Sequence, residues 1–376
     1  MKRRLAIGGR IDRYVGLLFV SSYFAAFLMV VGLFLVVDMS GRLDEFLTPG
    51  ADGASPPTSW IVRFYALGLP FIYLEVAPFV TLLAALFTVT KLLKHSEATA
   101  VLNAGVSSHR LLLPVFVGAG LVALGMVGLR EWAAASLGHE RFLLEDRLTE
   151  RRAEPVLESV FLKDGQSNPV WIDRFHLGEA DGQGAYAVGL AAVLRDRGRW
   201  VNIEAERAAY VVGAGGSPGS WRLLRGMRED IDDQERPPVS IALLDEVAFT
   251  PHDVLVAHKA AERPLELSSR EIHELQTRDP DNVQWRTLDY HLLTFPLANL
   301  VLLLVALPFV MRFGRGRGRG AEGVAAGFLL CIFYFGADFI SRSMGMQGAL
   351  SPLMATWLPL VFFGSLGAVL FSGLQS

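Results

Sequence analysis

Long apolar stretches alternate with short polar ones in the first and last parts of the chain. A helix that crosses a lipid bilayer needs roughly 20 predominantly apolar residues. Six stretches have that length, at about 14–37, 66–90, 111–136, 288–311, 323–342 and 350–371. The pattern predicts six transmembrane helices, three on each side of a long polar insert.

The insert has the pattern of strands rather than of membrane helices. Short β-like runs, bounded by Gly, Pro and Asp, follow one another at spacings of roughly 8–12 residues. They lie at 169–177, 185–190, 199–205, 208–212, 220–224 and 239–244, with a glycine-rich turn at 213–219. We expect an all-β sandwich or roll. A charged connector precedes it, and a short polar helix, Ser268–Leu275, follows it and ends at Asp279–Asn282.

These patterns divide the chain into three parts. Residues 1–136 hold the first three spans, 137–284 the β-domain with its linker helix, and 285–376 the last three spans. The first apolar stretch, Tyr14–Val37, has 24 residues without a charge. It is too long for the apolar core of a signal peptide, so we expect a retained span.

Composition agrees with a membrane protein that has a sizeable water-exposed part. The 376 residues are 52% hydrophobic and 19% charged, and the mean hydropathy is +0.36. A net charge of -3 argues against a nucleic-acid partner, because no positive excess is present to follow phosphates. The single cysteine, Cys331, excludes an internal disulfide and a cysteine metal cluster.

Basic residues in the short loops predict the orientation in the membrane, since cytoplasmic loops are rich in Lys and Arg. One side carries most of them, while Arg42 and Arg342 lie on the other. The rich side holds Lys2, Arg3, Arg4, Arg10, Arg13, Lys91, Lys94, Arg110, Arg312, Arg315, Arg317 and Arg319. We therefore expect both termini in the cytoplasm and the insert outside.

The polar stretch 91–110 lies between the second and third spans, on the expected cytoplasmic side. It predicts a short helix that Ser96 caps and Gly105 ends, with Glu97 in the first turn. Small side chains at Ala100 and Ala104 would let the helix enter a groove. Two interpretations of Glu97 stay open: it stabilises the helix start, or it reaches a basic pocket on a cytoplasmic partner.

The sequence contains no convincing catalytic pattern. It has no His-Glu-x-x-His, no Gly-x-Ser-x-Gly and no Walker A loop, so we expect neither an enzyme nor a bound metal or cofactor. The Gly318–Gly323 pattern opens a membrane span and has no preceding strand, which argues against a dinucleotide site. Any ATP-driven work would need another chain.

Charges inside membrane spans are functional candidates. Asp338 and Arg342, four residues apart on one helix, either form a local ion pair or line a path for a polar head group. Glu75, between Pro70 and Pro78, either reaches the head-group region or lines a cavity.

Several stretches resemble the LptF/LptG permeases, the membrane subunits of the lipopolysaccharide-exporting ABC transporter. The most specific is Ser96–Ser107, with its Glu-x-x-Ala…Ala-Gly-Val-Ser pattern. The others are Ile11–Tyr14, Glu204–Tyr210 with Trp221–Gly226, Pro264–Ser269, and Phe295–Ala298 through Ala306–Pro308, before a basic Gly-rich loop.

The resemblance implies an inner-membrane protein with six transmembrane helices and a β-jellyroll domain in the periplasm. It implies that an LptF-like and an LptG-like chain pair above two LptB-like ATPase subunits. The glutamate of the family's coupling helix, which lies at the ATPase contact, falls on Glu97 here. Spans one and five would form gates to a lipid cavity, and the jellyroll would pass lipopolysaccharide to LptC- and LptA-like β-domains.

One feature departs from that pattern. Family members often have basic residues at the outer end of span one, whereas this chain has Arg42 among acidic residues. Arg42, Arg63 and Arg342 are the candidates for head-group contact near the outer face, and the cargo is lipopolysaccharide, a variant of it, or another large glycolipid. The alternative class is a non-transporting membrane scaffold or a signalling protein whose β-domain binds a partner; a lipid-modifying enzyme is third, because no nucleophile and base pair up.

Overall fold

The computed structural model describes residues 9–42, 57–149, 156–178, 184–196, 198–213, 219–232, 237–244, 248–313 and 320–374. The basic loop expected at 315–319, and most of the glycine-rich turn expected at 213–219, lie outside these residues. The chain forms two compact units, one made of the membrane helices and one that contains the β-domain with its short helices.

Six helical segments are long and apolar enough to cross a membrane. The helices before the insert are α1 (Arg10–Gly41), α2 (Thr58–Lys94), α3 (Glu97–Asn103) and α4 (Ser108–Ser136). Those after it are α8 (Val283–Thr294), a 3-10 turn (Phe295–Leu297), α9 (Ala298–Phe313), α10 (Gly320–Met346) and α11 (Pro352–Ser372). The spans are α1, α2, α4, α8 joined to α9, α10 and α11, while α3 is the short helix between the second and third.

Small residues allow the membrane helices to approach closely, which is how apolar helices associate when lipid is as apolar as they are. Ala84 and Ala85 of α2 are fully buried in one cluster with Ala306 of α9. A Cβ atom added at Gly345 of α10 would lie 2.4 Å from the Cβ of Ala355 on α11. These contacts order the bundle on which the candidate site lies.

The insert contains one antiparallel sheet of six strands in the order β1-β2-β3-β4-β5-β6. The strands are β1 (Val156–Lys163), β2 (Pro169–His176), β3 (Tyr186–Asp196), β4 (Arg199–Val211), β5 (Ser220–Asp230) and β6 (Val239–Leu244). Buried and exposed residues alternate along them, as expected when one face is covered. The register slips between Arg222 and Gly226, where Arg225 has φ +53°.

Three short helices flank the sheet in the chain, one before it and two after it, and the second of them packs on it. They are α5 (Gly138–Thr149), α6 (Pro251–Glu262) and α7 (Ser269–Arg278). Val254 and Ala257 of α6 are buried in the same cluster as the inward side chains of the sheet. Trp221 of β5 is also fully buried there, and its Nε1 donates to the carbonyl of Phe249 at 3.0 Å.

The predicted class, a membrane α-helical protein with an inserted all-β domain, is confirmed. The details differ in three places. The strands form one sheet, the two runs at 199–205 and 208–212 are one strand, and β1 and α6 were not predicted. The predicted linker helix is α7, and Ser268 caps it by accepting from the backbone N–H of Glu271.

Candidate functional site

The short helix α3 ends as the sequence predicts but begins differently. Gly105 has φ +81°, and two backbone bonds close the end, from Gly105 N to Leu102 O at 2.9 Å and from Val106 N to Val101 O at 3.3 Å. This is the Schellman arrangement, which favours glycine at its left-handed position. The Ser96 cap was wrong: Ser96 has φ +60°, and its side chain makes no capping bond, because the chain turns there through the left-handed region.

One face of α3 is buried and the other is open. Ala98 is 1% exposed and belongs to the core cluster of the membrane helices. The open face consists of small or short side chains at Ser96, Thr99, Ala100, Asn103, Ala104 and Gly105, all of them exposed. The helix therefore has a buried inner face at Ala98 and an outer face of small or short side chains.

Glu97 lies at the edge of this open face and is partly buried. Its Oε1 accepts a hydrogen bond from the Tyr14 hydroxyl at 3.2 Å. Tyr14 stands in the second turn of α1, so the bond joins the first span to the short helix. The exposed cations Lys91 and Lys94, at the end of α2, precede α3 in the chain.

The lipid-path candidates near the ends of α1 and α2 pair with acidic residues. Arg42 Nε lies 3.5 Å from Asp38 Oδ2. The Arg63 guanidinium forms an ion pair with Glu140 of α5. Glu75 is exposed on α2, which continues as one helix through Pro70 and Pro78. The two arginines of this group are thus each paired with a carboxylate.

Asp338 and Arg342 do not form the local ion pair that their spacing suggests. His291 of α8 contacts both of them: its Nε2 lies 3.1 Å from Arg342 Nη1, and its Nδ1 lies 4.0 Å from Asp338 Oδ1. His291 is 2% exposed and Asp338 is 7% exposed. A polar contact between spans four and five therefore replaces the contact along one helix.

Arg130 is a buried charge in the third span, 8% exposed, and the sequence analysis did not single it out. Its Nη1 donates to the carbonyl of Leu292 at 2.7 Å. The residue four positions after Leu292 is Pro296, which has no N–H to donate to that carbonyl. Arg130 therefore supplies a donor where the proline interrupts the fourth span.

Asn299 also forms hydrogen bonds at the helix break around Pro296. Its Nδ2 donates to the carbonyl of Pro296 at 2.8 Å, and its Oδ1 accepts from Thr81 of α2 at 2.6 Å. The helix break around Pro296 is thus supported by Asn299 within span four, by Thr81 of span two and by Arg130 of span three.

An aromatic groove of about 620 Å³ lies among α1, α2 and α4. Its walls include Phe19, Phe24 and Phe27, and the hydroxyls of Tyr23 and Tyr73 share a hydrogen bond of 2.7 Å. The groove is almost wholly apolar, as a surface that faces lipid chains or another apolar helix would be.

Among the described residues, His, Cys, Asp and Glu side chains form no group of three or more that could hold a metal ion.

Six membrane-length segments interrupted by one antiparallel β-domain define a polytopic membrane protein with a large extramembrane insert. The family model described as lipopolysaccharide export system permease LptF/LptG matches residues 13–372. The chain therefore belongs to the LptF/LptG family, the inner-membrane permease of lipopolysaccharide export, and the resemblance drawn from its motifs is confirmed. A search of curated proteins found no match.

Three residues of the site, Tyr14, Arg130 and His291, were not predicted from the sequence to be functional. Tyr14 belongs to a motif but lies 83 positions from its partner Glu97, and no periodicity links the two. His291 and Arg130 carry a signal, because ionisable groups inside apolar spans are functional candidates. Both residues lie within predicted spans, so the rule that ionisable groups in spans are functional candidates identifies them as well as Glu75 and Asp338.

Proposed function

We propose that this chain is the membrane subunit that extracts lipopolysaccharide from the inner membrane and passes it to a periplasmic bridge, with ATP hydrolysed by a separate LptB-like subunit. The proposal rests on one observation above the family assignment: the exposed small-residue face of α3, with the Glu97 carboxylate at its edge. Such a face fits a groove, and the carboxylate suits a cationic group within it.

The ATPase contact consists of Ser96, Glu97, Ala100, Ala104 and Gly105. Small side chains keep the contact area shallow, so the partner can approach the backbone. Basic residues at both ends of the 91–110 stretch support a cytoplasmic position. In this orientation both termini of the chain are cytoplasmic.

A second LptF/LptG-like chain completes the permease, and LptC- and LptA-like β-domains receive the lipid. Residues 1–136 and 285–376 form the membrane part, and 137–284 form the periplasmic part. Among the described strands, β1 and β6 each have one neighbour in the sheet, and the edge of a sheet is where another β-domain can add.

The lipid contacts are proposed at Arg42, Arg63, Glu75, Asp338 and Arg342. Phosphate groups compete well with carboxylates for a guanidinium, so the head group would displace Asp38 from Arg42 and Glu140 from Arg63. The inward face of the sheet would guide acyl chains. Because α6 covers part of that face, passage of lipid requires α6 to move.

Replacement of Glu97 by alanine tests the ATPase contact. We expect Glu97→Ala to insert in the membrane normally and to recover at least about tenfold less LptB-like subunit on co-purification, since a charge-assisted bond contributes about 1.5–3 kcal/mol. Glu322→Ala is the matched control, because Glu322 is exposed in the first turn of α10, on the side expected to be cytoplasmic.

Unchanged recovery and unchanged lipid export by Glu97→Ala would remove the proposed role of this residue. A bait chain that recovers no P-loop ATPase, under conditions in which its LptF/LptG-like partner is recovered, would favour the scaffold alternative.

A further inference from the structure

Tyr14 makes a polar contact from the first span to α3. Its hydroxyl donates to Glu97 Oε1 at 3.2 Å, across 83 positions of sequence. Tyr14 is 48% exposed, so burial does not fix its side chain. The length and geometry of this hydrogen bond can therefore change when a partner binds at Glu97.

The helix that carries Tyr14 places some of its neighbouring side chains in the core of the membrane helices. Val15 is 1% exposed and Phe19 is 3% exposed, and both belong to the core cluster of the membrane helices. A Cβ added at Gly118 of α4 would lie 2.6 Å from the Phe19 ring, so that ring packs directly on the α4 backbone at this glycine. A force applied at the Tyr14 hydroxyl therefore acts on a helix that is already part of the bundle.

Glu97 can serve Tyr14 and a cation at the same time. An ionised carboxylate has two oxygens and about four lone-pair positions, and the described bond to Tyr14 uses Oε1. A phenol is a neutral donor, so it leaves the negative charge of Glu97 available to a cationic partner. The geometry allows Glu97 to be bound by the partner on one oxygen and by span one on the other.

We propose that Tyr14 is a positioning residue that transmits displacement of α3 to the first span through Glu97. The inference rests on the proposed function, because it assumes that an ATPase binds α3. Docking depends on the charge of Glu97, whereas transmission depends on the Tyr14 hydroxyl. The two roles are therefore separable by substitution.

The test uses the purified complex of this chain, its LptF/LptG-like partner and the ATPase, in proteoliposomes that contain lipopolysaccharide. Tyr14→Phe removes the donor and keeps the ring. We expect ATPase recovery and ATP hydrolysis like those of the unmodified complex, and lipopolysaccharide extracted per ATP hydrolysed to fall about two- to tenfold, the effect of losing one hydrogen bond.

Two further variants separate transmission from docking. Glu97→Gln keeps an acceptor for Tyr14 and removes the charge, so ATPase recovery falls while extraction per ATP by the docked fraction is retained. Tyr290→Phe is the matched control, because Tyr290 is 38% exposed and its hydroxyl has no hydrogen-bond partner among the described residues. It leaves both quantities unchanged.

The proposal predicts that Tyr14→Phe has no further effect in a Glu97→Ala background. An unchanged extraction ratio in Tyr14→Phe, or an equal loss in that background, overturns the role of Tyr14 and leaves the proposed function intact. Failure of the unmodified complex to extract lipopolysaccharide overturns the proposed function itself.

Discussion

At the scale of single residues, the most informative group is the buried guanidinium of Arg130. A charge in an apolar span is costly unless its donors find acceptors. Here the acceptor is the carbonyl of Leu292, which lacks its regular helical donor because the residue four positions on is Pro296. Arg130 Nη2 also lies 3.6 Å from Glu131 Oε1, so the guanidinium has both a neighbouring carboxylate and the helix break as partners.

This pairing makes a specific prediction about stability. Arg130→Met keeps much of the side-chain volume but leaves the carbonyl without its donor, so we expect a loss of about 1–3 kcal/mol. The thermal unfolding midpoint in detergent should fall accordingly. Pro296→Ala restores an N–H at that position, and the double variant should recover part of the loss. An unchanged midpoint in Arg130→Met would contradict this role.

The polar contact of His291 with Arg342 and Asp338 illustrates a limit of sequence spacing. Residues four apart on a helix are neighbours, and that rule favoured an ion pair between Asp338 and Arg342. In the folded chain a histidine from another span contacts both side chains instead. Local spacing identifies which groups are available, but the packing of helices decides which of them meet.

At the scale of elements, α3 is a seven-residue helix whose ends are set by backbone geometry. A helix this short is not stable by itself, so its shape depends on the terminal bonds at Gly105 and on the burial of Ala98. Ser96 and Gly105, at the two ends of α3, both have left-handed backbone conformations, but the free-energy cost of that conformation differs between them. Glycine adopts that conformation freely, whereas serine does so at a cost.

We expect opposite effects from exchanging these two residue types. Gly105→Ala should raise the hydrogen-exchange rates of amides in 97–103 by roughly 5- to 30-fold, since a left-handed non-glycine residue costs about 1–2 kcal/mol. Ser96→Gly should slow exchange or leave it unchanged. A Ser96→Gly variant that exchanged faster would indicate that the serine side chain stabilises the helix after all.

The elements differ in how far the sequence predicts them. The six spans follow from length and hydropathy, because lipid requires long apolar helices. The strands follow from alternation and turn residues, although β4 was divided at its exposed Glu206–Arg207 pair. The α6 helix was missed because it is short and its apolar side Val254–Ala257 resembles a strand. Its burial is decided by the sheet it covers.

At the scale of the whole molecule, the central question is on which side of the membrane α3 lies. Cys331 is the one cysteine of the chain and is buried, so single reporter cysteines can be introduced after Cys331→Ala. Ala100→Cys reports on α3, and Ser240→Cys reports on the β-domain; both positions are exposed.

A membrane-impermeant maleimide should label Ser240→Cys, and not Ala100→Cys, in intact spheroplasts. Inverted vesicles should give the opposite pattern, because the orientation that we propose from the basic loops has α3 in the cytoplasm. Labelling of Ala100→Cys from outside the spheroplast would reverse the assigned orientation and exclude contact with a cytoplasmic ATPase.

The family assignment identifies a permease of lipopolysaccharide export. In the proposed function, energy enters through a contact with a separate ATPase, and the exposed face of α3 beside Glu97 is the surface proposed for that contact.

The most direct test is ATP-dependent extraction of lipopolysaccharide from proteoliposomes that contain the complete complex, measured with the unmodified chain and with Glu97→Ala. The account predicts extraction that requires ATP and the LptB-like subunit, and a loss of at least about tenfold in Glu97→Ala. Equal ATP-dependent extraction by both chains would contradict it.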